Sequence, residues 1–284
     1  MGTDNNGEWT SVIDSKSRWL DIDFRELWRY RDLVLLFVRR DFTAVYKQTV
    51  LGPLWFILQP LMTTLVFTVI FGNMAGLPTD GLPKVLFYLS GVVAWRYFAD
   101  CLTKTSATLR SHSNIFGKVY FPRLAVPLSA VLSNLISFGL QFVIFLFFLA
   151  YYIWIGTDIS PTGWVFIVPV LVLLMAMLGL GVGLLVTALT IRYRDLAFLV
   201  GFGVQLLMYA SPVIYPMSMI PPQYRAYALL NPMTPIIETF RYAFLGRGTV
   251  SVEQLGVSAA IIVGILMLGL AVFSRVEKNF MDTV

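Results

Sequence analysis

The stretch from Arg39 to Pro60 reads RRDFTAVYKQTVLGPLWFILQP, and it separates two kinds of sequence. Its opening residues hold Arg39, Arg40, Asp41 and Lys47, whereas from Gln48 onward no charged residue occurs until Asp80. That run exceeds the roughly 20 apolar residues needed to cross a hydrocarbon core. Gly52 and Pro53 supply a break and Trp55 an interfacial ring, so a helix lying on the membrane surface is expected to turn here and enter the bilayer.

Composition extends that reading to the whole chain. With 57% hydrophobic and 13% charged residues and a mean hydropathy of +0.75, its apolar groups exceed what one soluble core can enclose. An all-α integral membrane protein is expected. The net charge of +5 could suit nucleic acid, but the basic residues fall in blocks between apolar runs, as membrane topology requires, and nucleic acid is set aside as a partner. Cys101 is the single cysteine, so no disulfide framework exists.

Upstream of the junction, residues 1–20 are polar and are expected to form a mobile cytosolic tail. Asp23 with Glu26 has the form of a capping box, opening a helix that runs to about Val38. Arg25, Arg29, Arg31, Arg39 and Arg40 flank its apolar side, which marks 21–50 as an amphipathic helix lying in the interface.

Downstream, residues 51–284 read as a membrane domain of six spans, within 51–74, 85–105, 123–158, 158–192, 196–215 and 254–274. An even number places both termini on one side. Sixteen Lys and Arg flank that side and four, Lys84, Arg225, Arg241 and Arg247, flank the other, so both termini are expected in the cytosol. Between the fifth and last spans, 212–249 holds Pro212, Pro216, Pro221, Pro222, Pro232 and Pro235 among apolar pieces too short to cross. Re-entrant helices dipping in from the outer side fit this pattern; an ordinary external loop is the alternative.

The loop 106–123 contains RSHSNIFGKVYFPR, with basic residues, Gly117 and Pro122, and the aromatics Phe116, Tyr120 and Phe121. Such a surface suits a protein partner better than a plain connector. His112 has no Cys or acidic neighbour and does not make a metal site. Inside the spans, Arg96 and Asp100 share a helical face and can pair, either as a structural bridge or facing a channel. Gly179 and Gly183 have small-xxx-small spacing and read as close helix contact.

Several separated motifs then resemble one family, the permease subunits of type-2 ABC exporters for lipid-linked polysaccharides. They are Arg40-Asp41, Tyr46-Lys47, Leu51-Gly52-Pro53-Leu54-Trp55 and Pro60 at the junction, Asn114 and Phe121-Pro122-Arg123 in the loop, Arg192-Tyr193-Arg194-Asp195 after the fourth span, and Asn231-Pro232 with Glu238 and Arg241. The resemblance implies that Arg39, Arg40 and Asp41, the loop 106–123 and the corner at Arg192, Arg194 and Asp195 couple to an ATPase subunit. For that last corner, a basic cytosolic loop with no further role fits nearly as well. It implies a homodimer resting on two ATPase copies, an undecaprenyl-linked glycan, O-antigen foremost, as cargo, and a bacterial inner membrane as the location. Tyr88, Trp95, Tyr97 and Phe98 with Arg96 and Asp100 are expected to contact sugar in the channel, since sugar C–H faces stack on aromatic rings. Asn231, Pro232, Glu238 and Arg241 are expected to close the outer exit.

The chain has no G-x-x-x-x-G-K-[ST] segment to cradle nucleotide phosphates, so ATP and Mg are expected on a partner, with no cofactor bound by this chain. A permease for a drug or small lipid shares the same plan. A self-contained channel or carrier is the reading from a different class.

Overall fold

The computed structural model describes residues 24–47, 50–111, 121–192 and 195–280, and among these every regular element is helical. Two helices precede the junction, α1 (Phe24–Arg29) and α2 (Arg31–Lys47). Gly52, at φ +49, takes the left-handed turn that an L side chain resists, and α3 (Leu54–Phe67) begins just after Pro53. Pro60 lies inside α3, and the helix loosens into a π-helical segment over Thr68–Met74. Then follow α4 (Lys84–Ser111), α5 (Ala125–Trp154), a 3₁₀ turn leading into α6 (Val168–Arg192), α7 (Leu196–Tyr209), α8 (Pro222–Leu230), α9 (Met233–Leu245) and α10 (Val252–Phe280).

Five of these are long and apolar enough to cross a membrane: 54–74, 84–111, 125–154, 163–190 and 252–276. The fifth expected span is instead the 14-residue α7, which rises only about 21 Å and falls short of a hydrocarbon core of about 30 Å. An irregular, largely buried piece from Ser211 to Met217 continues it.

The layout is set by α4, whose most apolar window is 78% buried where that of α3 is 17% buried. Helices α3, α5, α6, α7 and α9 all pack against it. Small residues bring α6 onto α4: a Cβ placed on Gly179 would stand 2.6 Å from the Cβ of Cys101, and one on Gly183 would stand 2.5 Å from that of Thr105. The Thr187 hydroxyl donates to the Thr105 carbonyl at 2.8 Å. Since 179, 183 and 187 advance with 101 and 105, α4 and α6 run parallel. On its other side α6 meets α10, where a Cβ on Gly269 would lie 2.5 Å from the Gly181 carbonyl oxygen.

Three parallel helices place Ser111, Arg192 and Phe280 on one face of the bundle, with the starts of α4, α6 and α10 on the other. The chain must therefore return between Arg192 and Val252, and α7 with the irregular piece lies on that route. Helix α9 sits at the far face among α4, α6 and α10, buried at every position but Tyr242. Helix α8 is exposed from Pro222 to Tyr227.

Candidate functional site

The residues singled out from the sequence gather at three levels along α4. At the face where α4, α6 and α10 end, α2 lies against the start of α5 through Val34 and Phe37. These side chains join Leu109 of α4, Phe121, Ala125 and Val126 at the head of α5, Leu184 of α6, and Leu270 and Phe273 of α10 in one apolar cluster. The Phe37 and Phe121 rings are 5.9 Å apart at 55°, and the Arg40 guanidinium stands 4.9 Å over the Phe37 ring. Arg40 also bonds the Asp41 carboxylate at 2.8 and 3.1 Å.

Phe121 was expected on the surface and is instead buried, as is Arg123. The reason is local: α2 covers the head of α5, so the last residues of the loop become core. Pro122 stays partly exposed and Arg39 is exposed. Asn114 and Arg194 lie outside the described residues. Arg192 closes α6, and Asp195 is exposed just before α7.

At mid-height α4 carries Arg96, Asp100 and Lys104, spaced four apart and so on one face. Arg96 donates to the Gln59 side chain of α3, and its Nε is 3.7 Å from the Asp100 carboxylate. Lys104 donates to Asn134 of α5 at 2.6 Å. The two members of the Arg96–Asp100 pair keep 30% and 35% of their side-chain surface exposed, near the middle of a 28-residue helix. A partly exposed charge at that depth is costly against lipid, so this face looks onto water or protein. The sequence reading missed Gln59 and Asn134, legible only as isolated polar residues in apolar runs, and counted Lys104 as a charge of the cytosolic loop after the second span.

The aromatics of α4 are placed differently from expectation. Tyr88, Trp95, Tyr97 and Phe98 are all buried within the protomer, so none forms an open wall in this state. Tyr97 packs on Phe138 of α5 at 5.1 Å, Tyr88 on Phe67 of α3 at 6.2 Å, and Trp95 on Phe98 at 5.1 Å. They occupy the other sides of a helix that is surrounded by five neighbours.

At the far face, Glu238 and Arg241 of α9 form a buried ion pair at 3.2 Å. The Arg241 guanidinium also donates to the Val213 carbonyl at 2.9 Å and stacks 3.8 Å from the centre of the Phe87 ring. Gly91 makes room for it, since a Cβ there would stand 2.8 Å from the guanidinium and 3.0 Å from the Val213 oxygen. The other Glu238 oxygen accepts from the Thr249 amide at 3.2 Å. Counted from sequence as an outer-loop charge, Arg241 proves to be the hub that ties α9 to α4 and to the irregular piece after α7. Asn231 braces the same corner, donating to Ser211 at 2.7 Å and accepting from the Met233 amide at 3.0 Å. The Pro232 carbonyl accepts from Ser258 of α10 at 2.7 Å.

Comparison with known proteins bears on this arrangement. The chain is 28% identical over 263 residues to the O-antigen export system permease protein RfbA of Myxococcus xanthus, covering 92% of this chain and 98% of that one. It is 26% identical over 254 residues to the protein of the same name from Klebsiella pneumoniae, covering 88% and 94%. To the polysialic acid transport protein KpsM of Escherichia coli it is 23% identical over 245 residues, covering 86% and 93%. Residues 32–245, from α2 to the end of α9, match the family described as ABC-2 type transporter, and the chain belongs to that family.

Proposed function

We propose that this chain is the membrane-spanning subunit of an ATP-driven exporter that carries lipid-linked polysaccharide, O-antigen in the first instance, across a bacterial inner membrane. The observation that carries this reading is the similarity, over nearly the full length of both chains, to permeases named for O-antigen export. ATP and Mg belong to a separate ATPase subunit, and this chain is a conduit rather than an enzyme.

Two copies enclose the path, each seated on one ATPase subunit, with both termini in the cytosol. In support, one protomer leaves much of the apolar surface of α3, α5 and α7 uncovered, and a single bundle with its aromatic core filled has no room for a polymer. The exposed face with Arg96 and Asp100 borders the path and hydrogen-bonds sugar hydroxyls. Tyr88, Trp95, Tyr97 and Phe98 reach sugar only if α4 parts from its neighbours, while Asn231, Pro232, Glu238 and Arg241 hold the outer corner.

Coupling runs through the apolar cluster at the cytosolic face. Phe121, Pro122 and Arg123 anchor the end of the 106–123 loop, and Asn114, Arg39, Arg40 and Asp41, with Arg192, Arg194 and Asp195, are assigned to contact with the ATPase subunit. A push on the loop or on α2 reaches α4, α5, α6 and α10 together, because all of them contribute to that cluster.

Deletion of the gene tests the reading: lipid-linked glycan should accumulate on the cytosolic side and surface polysaccharide should vanish. Normal surface polysaccharide would turn the reading towards a drug or small-lipid permease. Transport by the purified chain in vesicles without any ATPase would overturn it.

A further inference from the structure

One concave surface lies apart from the conduit. Along a single face of α2, Leu36, Phe37, Arg39, Arg40, Thr43 and Lys47 line a cavity of about 630 Å³. Their spacing of three or four residues puts Arg39 and Lys47, with Arg40 in its pair with Asp41, above an apolar floor on one side of the helix. Leu36, Arg39, Arg40 and Lys47 are exposed, whereas Phe37 is buried and forms the back of the groove. The Thr43 hydroxyl donates to the Arg39 carbonyl at 2.6 Å, so Arg39 and Lys47, not Thr43, supply the donors for an anion.

We infer that this groove binds the phosphate headgroup of a membrane lipid. An anionic head attached to an apolar tail is the complement of a cationic rim over Leu36 and Phe37. The position of α2, just before the junction where charge gives way to a charge-free run, sets the groove at headgroup height. Free phosphate would use the rim but gain nothing from the floor. The assignment holds whatever cargo the exporter carries, so it stands or falls separately from the function proposed above.

The occupant also touches the coupling cluster. Phe37 is at once the back of the groove and the ring facing Phe121, so a headgroup seated beside Arg40 bears on the packing at the head of α5.

The test uses the full-length chain in neutral detergent with a fluorescent short-chain phosphatidic acid, the matching diacylglycerol, and inorganic phosphate as competitor. Phosphatidic acid should bind, diacylglycerol should bind far more weakly, and phosphate should displace only at high concentration. Each of Arg39→Gln and Lys47→Gln should weaken phosphatidic acid binding about fivefold and the pair roughly 25-fold. Arg39→Lys should retain binding, which separates lost charge from lost fold, and Arg29→Gln, outside the groove, should leave it unchanged. Undiminished binding by the double variant would refute the site. Equal weakening by Arg29→Gln would mean general surface attraction, and phosphate binding as tightly as the lipid would mean a soluble-anion site; either result overturns the assignment.

Discussion

Phe37 on α2 and Phe121 at the head of α5 face each other at 5.9 Å, and this contact fastens the surface helix to the membrane bundle. Both rings are buried although each lies close in sequence to charged residues. Truncating either to Ala should lower stability by about 3–5 kcal/mol. The double variant should cost less than the sum, by about 0.5–1.5 kcal/mol, if the rings act on one another. Thermal melts of the four proteins, with retention of the ATPase subunit on purification, check both statements. Additive losses would mean that the two rings serve separate contacts.

Arg241 should tolerate loss of its charge badly while Glu238 remains. Removing one member of a buried pair strands the other and costs about 3–5 kcal/mol, so Arg241→Met should unfold or fail to accumulate. Joint replacement of Arg241 and Glu238 by Met and Gln should recover much of that loss, as judged by melting temperature and yield. By contrast the Arg247–Asp158 pair is largely exposed, and Asp158→Asn should change stability by less than about 1 kcal/mol.

Glycine substitutions should divide by what a methyl group meets. Gly183→Ala drives a Cβ into Thr105 and towards the Leu102 carbonyl, where overpacking of this kind costs about 1–3 kcal/mol. Gly201→Ala on α7 meets nothing within 4 Å and should stay within about 0.5 kcal/mol of the parent. Size-exclusion profiles and melts after mild heating distinguish the two.

Arg96→Gln should impair transport more than it impairs folding. The side chains of Arg96 and Asp100 are each about a third exposed, so the melting temperature should shift by no more than a few degrees. Export of lipid-linked glycan should fall at least tenfold if this face borders the path. Export at the parental rate would exclude Arg96 from it.

The sequence made some of this legible and hid the rest for a physical reason. Charge-free length located α3, α5, α6 and α10, and the break at Gly52 and Pro53 located the turn into the bundle. The same measure overstated α7, because Ser211 to Met217 is as apolar as a helix while lacking its backbone geometry. It also found α4, interrupted by Arg96 and Asp100, but not its place in the bundle. The least apolar of the five long helices is the most buried, since lipid replaces water outside the bundle and burial no longer follows apolarity. Tyr88, Trp95, Tyr97 and Phe98 therefore entered the core, and an aromatic that packs inside reads in sequence like one that lines a path. Glu238 and Arg241 were found as a motif, but their burial depended on Gly91 and Val213, which are remote in sequence.

The glycine faces of α6 bear on how such a protein could move. Gly179 and Gly183 press on α4 and Gly181 on α10 with main-chain atoms in direct touch, a fit that admits neither sliding nor rolling without collision. Those three helices form a mast, tightly packed at the level of these glycines. Freedom to move is left to the lightly held staves around it, α3 and α7, which can swing while the mast stands still.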